Sequence, residues 1–314
     1  MNIFIIGLRR SGTTILFDIL SEQTELKAFY EPLSAANKTI GGGSGEKNFD
    51  LNHRIRAFRK SFIKEKDLPI DPDYFNYGAP KNYHLELSKN EFNDHHKAYL
   101  KYLVNSSEQT LLKFVRATFL LEELFDIAPD SHLIHIYKNP LRFVTSHIFG
   151  IRFKRQTFRG KVAMILDYLK PTKSLQFENT DPDYFFSLKK GFNSWSQEKL
   201  VHTYLDQTGR SALKEKPAYY KLLLLWKEWN NKMISDGQKL FGNRFISIKH
   251  EHLCRKSKQQ LSELSDHLDI ELDEETLNWA LSNLRPPRPI YAQNDIRWRT
   301  AMEELEIDLR YLEN

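Results

Sequence analysis

The alternation of apolar runs and polar segments along the chain predicts an α/β protein. Four short apolar runs have the length of buried strands and end in polar or turn residues. They are NIFII at 2–6, LLKFV at 111–115, HLIHIY at 132–137 and RFISIK at 244–249. Continuous apolar runs of this kind are typical of parallel strands that are covered on both faces. We therefore interpret the four runs as strands of one parallel sheet.

Helical spacing of apolar residues appears between and after these runs. It extends over residues 119–127, where Pro129 ends the pattern, and again over residues 219–234. The order of strand, helix and strand around residues 119–127 predicts a βαβ unit. The fold that we expect is a P-loop-like, doubly wound parallel sheet flanked by helices.

Two long segments interrupt the predicted core. The first, about residues 38–110, begins with the glycine-rich GGGSG, and the second, about 150–220, is basic and aromatic. At 314 residues the chain is long for one domain and short for two, so we expect one domain, 1–314, with two largely helical insertions. Such insertions commonly build the substrate cleft of α/β enzymes. The core would then comprise about 1–35, 108–150 and 240–300.

Composition narrows the class of protein. No apolar stretch approaches the roughly 18 residues that span a bilayer, and the short run in MNIFII lacks preceding basic residues, so neither a transmembrane segment nor a signal peptide is expected. The single cysteine, Cys254, excludes an internal disulfide and indicates a reducing, cytoplasmic location. The net charge of +5 and the pI of about 9.0 fit an anionic partner, which includes nucleic acid, phosphorylated cofactors and acidic glycans.

Residues 7–14, GLRRSGTT, follow the first strand and have the outline of the phosphate-binding loop G-x-x-x-x-G-K-[ST], but Thr13 replaces the lysine. A strand that passes through a glycine turn into a helix directs backbone N–H groups and the helix dipole at one point. Gly12 permits close backbone approach, and Arg10 adds a forked cation. A plain helix N-cap by Ser11 or Thr13 would explain the hydroxyls but neither the glycines nor the arginines. We therefore predict an anion site.

A second phosphate-sized site is predicted after the third apolar run. Lys138 follows that run directly, Pro140 suits the first turn of a helix, and Ser146 lies two turns further along. A ligand with anionic groups at two separated ends would use both sites.

In this order and spacing the motifs resemble those of sulfotransferases that use 3′-phosphoadenosine 5′-phosphosulfate (PAPS), and are most similar to the carbohydrate branch of that family. The family's loop R/K-S-G-T-T holds the 5′-phosphosulfate, and its motif R-[ND]-P with a later serine holds the 3′-phosphate. In this chain Lys138 replaces the arginine of the second motif. The lysine keeps the positive charge but lacks the paired hydrogen-bond donors of a guanidinium. The resemblance implies these cofactor-binding residues: Arg9, Arg10, Ser11, Gly12, Thr13, Thr14, Lys138, Ser146 and Arg297.

Three further stretches agree with this resemblance. YEPL at residues 30–33 is similar to F-E-P-L of the carbohydrate branch, and KFVR at 113–116 is similar to its K-x-x-R strand. KHEHL at 249–253 is similar to R-Y-E-D-L, a structural strand end in the family. Within YEPL, Pro32 predicts an extended backbone at Glu31.

The resemblance implies transfer of a sulfuryl group from PAPS to an acceptor hydroxyl, with release of 3′-phosphoadenosine 5′-phosphate (PAP) and no metal requirement. Arg10 would stabilise the leaving phosphate, and Glu31 would take the hydroxyl proton. Arg9 or Arg10 would lie near enough to keep the Glu31 carboxylate ionised. An ordinary helix-end or surface carboxylate paired with Arg9 is the alternative for Glu31. His53 and His84 are rival bases that the sequence cannot rank.

The carboxyl-terminal segment RPPRPIYAQNDIRWR contains Arg297 and three other arginines, of which one would close over the cofactor in this family; a solvated loop is the alternative. We expect a glycan or glycolipid acceptor and no nucleic acid. Two other classes stay open: a P-loop kinase, which would need the missing lysine and Mg²⁺ carboxylates, and a non-catalytic nucleotide- or nucleic-acid-binding protein. Nucleic acid would involve the basic stretch at residues 152–161.

Overall fold

The computed structural model describes residues 1–21, 26–34, 45–76, 92–115, 117–149, 181–189, 195–287 and 289–312. Its strands are β1 (Asn2–Ile6), β2 (Lys27–Tyr30), β3 (Thr110–Phe114), β4 (His132–Tyr137) and β5 (Phe245–Lys249). Its helices are α1 (Thr13–Ser21), α2 (Gly45–Glu65), α3 (Asp94–Val104), α4 (Leu121–Ile127), α5 (Pro140–Ile148), α6 (Pro182–Ser187), α7 (Trp195–Gln207), α8 (Ala218–Phe241), α9 (His250–Arg255), α10 (Ser257–Leu268), α11 (Glu274–Asn283) and α12 (Ile296–Glu304).

The five strands form one parallel sheet in the order β2-β3-β1-β4-β5. The predicted α/β fold with its parallel sheet is confirmed, and the four predicted strands correspond to β1, β3, β4 and β5. Helix α4 connects β3 to β4, as predicted, with β1 between the two strands in the sheet. The sequence analysis missed β2, because this edge strand has four residues and is only partly buried.

The chain divides into two compact units. Unit 1 comprises Met1–Tyr137 and Asn230–Pro286, and unit 2 comprises Lys138–Trp229 and Pro287–Asn314. The whole sheet belongs to unit 1, while α5, α6, α7 and α12 belong to unit 2. The organisation of residues 1–314 as one domain stays a prediction.

The core of unit 1 lies between the sheet and the helices that cover it. Central strand β1 contributes Ile3 and Ile5, which pack in one cluster with Leu16 of α1 and Leu264 of α10. All four side chains are fully buried. Since β1 is covered on both faces, its continuous apolar run is the pattern that predicted a central parallel strand.

Both insertions are largely helical in their described parts, with α2 and α3 in the first and α6 and α7 in the second. The pentapeptide DPDYF, a turn signal that occurs in both, begins a short helix each time. The side chain of Asp71 accepts from the Asp73 N–H at 2.7 Å, and that of Asp181 accepts from the Asp183 N–H at 3.0 Å. In the part of the chain that the structure describes, no helix has the length and apolar character needed to cross a membrane.

The buried side chain of His135 in β4 contacts the neighbouring strand β5 and helix α8. Nδ1 of His135 lies 2.9 Å from Oγ of Ser247, and Nε2 lies 3.0 Å from Oδ1 of Asn230 in α8. Since an amide oxygen only accepts, Nε2 of the neutral ring donates to Asn230 and Nδ1 accepts from the serine hydroxyl. Burial lowers the pKa of His135 to about 4.

We predict that His135 makes the free energy of unfolding fall on acidification. Because its folded-state pKa of about 4 lies below the ordinary value of 6.5, the unfolded state binds the proton first, so the contribution is complete above pH 6.5 and is lost as the pH falls toward 4. Between about pH 7.5 and about pH 5, the wild type should lose about 2 kcal/mol more than His135→Gln in urea unfolding. Equal losses in both proteins would contradict this assignment.

Candidate active site

The loop at residues 7–14 leaves β1 and enters α1 through two constrained glycines. A Cβ atom on Gly7 would lie 2.3 Å from the carbonyl oxygen of Ile136 in β4. A Cβ atom on Gly12 would lie 2.1 Å from Cδ2 of His250, and Gly12 has a φ of +102°. Both positions therefore require glycine. At Gly7 the backbone of β4 leaves no space for a side chain, and at Gly12 the His250 ring fills that space and the backbone is left-handed.

Hydrogen-bond donors gather where this loop meets α1. The Ser11 N–H donates to the Leu8 carbonyl oxygen at 2.9 Å, while the buried Ser11 Oγ has no hydrogen-bond partner within the described residues. Thr13 is buried and Thr14 exposed in the first turn of α1, whose N–H groups have no intrahelical acceptor. Arg10 is exposed and has a left-handed φ of 77°. This arrangement suits a tetrahedral anion at the positive end of the helix dipole.

Strand β2 brings the YEPL segment to the same edge of the sheet. The hydroxyl of Tyr30 lies 3.2 Å from Oγ1 of Thr14, and the Glu31 N–H donates to the Lys113 carbonyl oxygen at 2.9 Å. The extended backbone predicted for Glu31 is wrong, because its φ is +47°. The reason is a turn in which the Ser34 N–H donates to the Glu31 carbonyl oxygen at 2.9 Å. This turn bond and the long-range bond from the Glu31 N–H to Lys113 together override the local preference imposed by the following proline.

Glu31 forms an ion pair with Lys113 of β3. Lys113 Nζ donates to Glu31 Oε1 at 2.5 Å and lies 4.0 Å from the centroid of the Tyr30 ring. The Lys113 side chain is 1% exposed and that of Glu31 is 20% exposed. An ammonium group in this position orients the carboxylate.

Lys113 belongs to the KFVR motif but had no predicted role, and the cation expected beside Glu31 was Arg9 or Arg10. The available signal was a lysine inside the otherwise apolar LLKFV, since a buried lysine needs a partner. Arg116, which ends the same motif, lies outside the described residues.

His250 is a further residue at the loop that the sequence analysis did not select. It is the first residue of α9, directly after β5, and its ring occupies the space beside Gly12. Cys254, one helical turn later, has its Sγ 3.7 Å from His250 Nε2. The expectation that KHEHL forms a structural strand end agrees with the end of β5 at Lys249.

The second predicted anion site belongs to unit 2. Lys138 follows β4, and its carbonyl oxygen accepts from Trp226 Nε1 at 2.8 Å. Asn139 is fully buried and caps α5 by accepting from the N–H of Leu141 at 3.0 Å. Ser146 Oγ donates to the Phe143 carbonyl oxygen at 2.8 Å. The predicted helix start at Pro140 is confirmed, and the cap explains why an asparagine precedes the proline.

Arg297 of α12 also belongs to unit 2. Its Nε and Nη2 donate to Asp295 at 2.8 and 2.6 Å, and Nη1 donates to Asp183 at 2.7 Å. The guanidinium carbon lies 4.2 Å from the centroid of the Phe186 ring. The hydrogen bonds that Arg297 donates to Asp295, followed by the one that it donates to Asp183, raise its pKa. Two carboxylates within unit 2 therefore balance the positive charge of this guanidinium.

The structure groups the predicted residues by unit. In unit 1, the loop residues lie with YEPL and Lys113 at the carboxyl edge of the sheet, and Arg9 is half-buried there. Lys138, Ser146 and Arg297 are in unit 2. The His53 side chain, His84, Arg288 and the basic stretch at 152–161 lie outside the described residues.

The fold and the loop define an α/β protein with a P-loop-like loop at residues 7–14 that lacks the lysine of nucleoside-triphosphate enzymes. The model of the sulfotransferase family matches residues 2–189, more than half of the 314 residues. The chain therefore belongs to the sulfotransferase family. No curated protein sequence matches the chain significantly.

Several solved sulfotransferase structures are similar to this chain at low identity. The sulfotransferase domain from the curacin biosynthetic pathway has a TM-score of 0.43 and 14% identity, covering 98% of this chain and 97% of that one. A sulfotransferase from Alicyclobacillus acidocaldarius has a TM-score of 0.38 and 13% identity, with 100% and 98% covered. Sulfotransferase STF9 from Mycobacterium avium has a TM-score of 0.42 and 15% identity, with 96% and 75% covered. The family assignment rests on the family model.

We predict that Lys113 and Glu31 are energetically coupled. Lys113→Met and Glu31→Gln should each lower the free energy of unfolding by about 1–3 kcal/mol, because each leaves a partly or wholly buried charge without its partner. The double variant should lose less than the sum, by about 1 kcal/mol or more.

Urea unfolding at neutral pH measures this cycle. Lys27→Met is the matched control, since Lys27 of β2 donates to the Ser106 carbonyl oxygen rather than to Glu31. Additive losses for Lys113 and Glu31 would show that the pair contributes nothing.

Proposed function

We propose that this sulfotransferase moves the sulfuryl group of PAPS to a hydroxyl of a carbohydrate or glycoconjugate and releases PAP. The observation that carries the proposal is the position of the Glu31–Lys113 pair beside the phosphate-binding loop, joined to it through the contact between Tyr30 and Thr14. One edge of the sheet in unit 1 therefore combines donors for an anion with a carboxylate that can accept a proton.

The donors present fit a phosphosulfate. Ser11 offers a buried hydroxyl that lacks a partner within the described residues, the first turn of α1 offers backbone N–H groups, and Arg10 offers a permanent charge. The sulfuryl group of PAPS carries one negative charge fewer than the terminal phosphate of ATP. Hydroxyl, amide and guanidinium donors can therefore bind it without the lysine of the phosphate-binding loop of nucleoside-triphosphate enzymes. Metal-free chemistry is part of the proposal.

The remaining assignments of the proposal rest on the family resemblance. Lys138 and Ser146 would bind the 3′-phosphate, which distinguishes PAPS from ATP. Arg297 enters the set on the resemblance alone, since Asp183 and Asp295 hold its guanidinium in the structure.

When bound, PAPS supplies an activated sulfuryl group whose S–O bond to the 5′-phosphate can break. Glu31 orients the acceptor hydroxyl and takes its proton as the new O–S bond forms. Lys113 holds the Glu31 carboxylate in place during this step. Arg10 and the N–H groups of Thr13 and Thr14 stabilise the charge that develops on the phosphate oxygen as it leaves, which is the preorganised electrostatic contribution that commonly dominates such reactions.

The acceptor assignment rests on the YEPL segment, which is similar to the carbohydrate branch, and we propose a glycan or glycolipid with a free hydroxyl. A cytoplasmic location belongs to the same proposal because of the single cysteine. Incubation with labelled PAPS and a panel of glycans, glycolipids and phenols, followed by mass spectrometry for the gain of one SO₃ group, tests the acceptor class. Sulfation of phenols alone would contradict it.

We predict that PAP and PAPS bind without added metal and that ATP binds more weakly, because ATP lacks a 3′-phosphate for Lys138 and Ser146. Lys138→Ala should weaken PAP binding by about 1.5–3 kcal/mol, the range of a charged hydrogen bond, and leave ATP binding nearly unchanged. Calorimetry with the three ligands measures this. Equal affinity for ATP and PAP would contradict the assignment of Lys138 and Ser146, and Mg²⁺-dependent ATP turnover would instead favour a kinase.

We predict that Glu31→Gln lowers kcat by about 10²–10⁴, the usual effect of losing a general base, because the amide keeps the shape of the side chain but cannot take the proton. PAP affinity should stay within about threefold, since the loop residues are unchanged. Single-turnover kinetics measures the chemical step directly. Near-normal turnover in that assay would assign the base to another group and leave Glu31 a structural role.

A further inference from the structure

Arg59 of α2 is a fully buried cation in unit 1. Among the described residues, no carboxylate lies within ion-pair distance of its guanidinium. Burial lowers the pKa of Arg59. A charge in such surroundings is costly unless hydrogen bonds compensate for the lost water, so the identity of its acceptors indicates what the residue does.

The guanidinium joins two separate stretches of backbone. Its acceptors are the carbonyl oxygens of Pro32 (2.7 Å), Ser34 (2.7 Å), Pro72 (3.2 Å) and Phe75 (3.3 Å) and Oδ1 of Asn76 (2.7 Å). Backbone carbonyl groups cannot rotate independently of the chain. A planar fork that binds several of them therefore fixes the path of both segments.

One of these segments is the turn that carries Glu31. Arg59 Nη2 binds the carbonyl oxygens of Pro32 and Ser34, and the Ser34 N–H closes the turn on the Glu31 carbonyl oxygen at 2.9 Å. Glu31 has a left-handed φ of +47° within this turn. A non-glycine residue keeps such a conformation only where its surroundings hold it.

We propose that Arg59 is a positioning residue for Glu31: its hydrogen bonds to the 31–34 turn hold the Glu31 carboxylate beside Lys113 and the phosphate-binding loop. The proposal rests on the proposed role of Glu31 as the proton acceptor. It also assigns a task to the first insertion, since the second anchor of the guanidinium is the turn at Pro72–Phe75. The insertion that we expect to contact the acceptor is thereby bonded to the turn that carries the proposed proton acceptor.

The test combines kinetics with crystallography on the full chain. The variants are Arg59→Met, Arg59→Lys, Glu31→Gln and the double variant of Arg59→Met with Glu31→Gln. Arg56→Met is the matched control, because Arg56 lies on the same helix and donates to the exposed Asp73 at 3.1 Å. Sulfuryl transfer is followed as PAP release from PAPS with the best acceptor of the panel, and each variant is crystallised with PAP.

Arg59→Met should lower kcat by about 100-fold, as expected for a displaced catalytic group, while KM for PAPS stays within about threefold. In the Glu31→Gln background the same change should lower kcat by less than about threefold, because the group that Arg59 positions is already disabled. Arg59→Lys, which keeps the charge but loses the fork, should give an intermediate loss and serves if the methionine variant does not fold. Losses that multiply in the double variant would overturn the proposal.

The crystal structures separate this proposal from the proposed function. In Arg59→Met or Arg59→Lys, Glu31 should leave its left-handed conformation or its contact with Lys113, whereas Arg56→Met should change neither. An unchanged turn and ion pair would overturn the positioning role whatever the kinetics show. Normal kcat in Glu31→Gln alone would instead remove the proton-acceptor role, and the crystal structures would still decide whether Arg59 holds the turn.

Discussion

The pairing of β1 with β3 on one side and β4 on the other is the constraint on which the site in unit 1 depends. Ile6 ends β1 opposite Phe114 and His135, and at the next residue, Gly7, the backbone of β4 leaves no room for a side chain. The chain must then turn away from the sheet, and it enters α1 with its N–H groups directed back toward the strand end. Because the strands are parallel, the YEPL turn and His250 emerge at this same edge.

Two buried cations in unit 1 act on the same carboxylate in different ways. Lys113 binds the Glu31 side chain directly, and its burial beneath the Tyr30 ring prevents it from exchanging this partner easily with water. Arg59 binds carbonyl groups of the backbone that follows Glu31. Buried polar groups commonly contribute specificity of conformation more than stability, since their desolvation offsets much of what their hydrogen bonds contribute. Here both cations restrict where one carboxylate can lie.

Three of the residues with a left-handed backbone conformation lie in this region. Arg10, Gly12 and Glu31 have φ values of 77°, 102° and 47°, respectively, whereas Asp269, with a φ of 51°, is an ordinary cap at the end of α10. Non-glycine residues adopt this conformation at a cost, which surrounding hydrogen bonds must outweigh. At Arg10 the adjoining Ser11 N–H is bonded to Leu8, and at Glu31 both its N–H and its carbonyl group are bonded. The backbone of the site is therefore held by hydrogen bonds within its own turns and by the long-range bond from Glu31 to Lys113.

The sequence by itself determined the features that depend on local pattern. Apolar runs located β1, β3 and β4, because strands buried on both faces need continuous apolar residues, and an apolar run also located the partly exposed edge strand β5. Glycine and hydroxyl spacing located the loop at residues 7–14. Only the tertiary structure decided the surroundings of Glu31. Its partner Lys113 is 82 positions away along the chain, Arg59 contacts the turn from α2, and the preference imposed by Pro32 yields to these bonds. The short edge strand β2 was missed for the same reason: its pairing with β3 is a long-range contact that four residues, only one of them buried, do not encode.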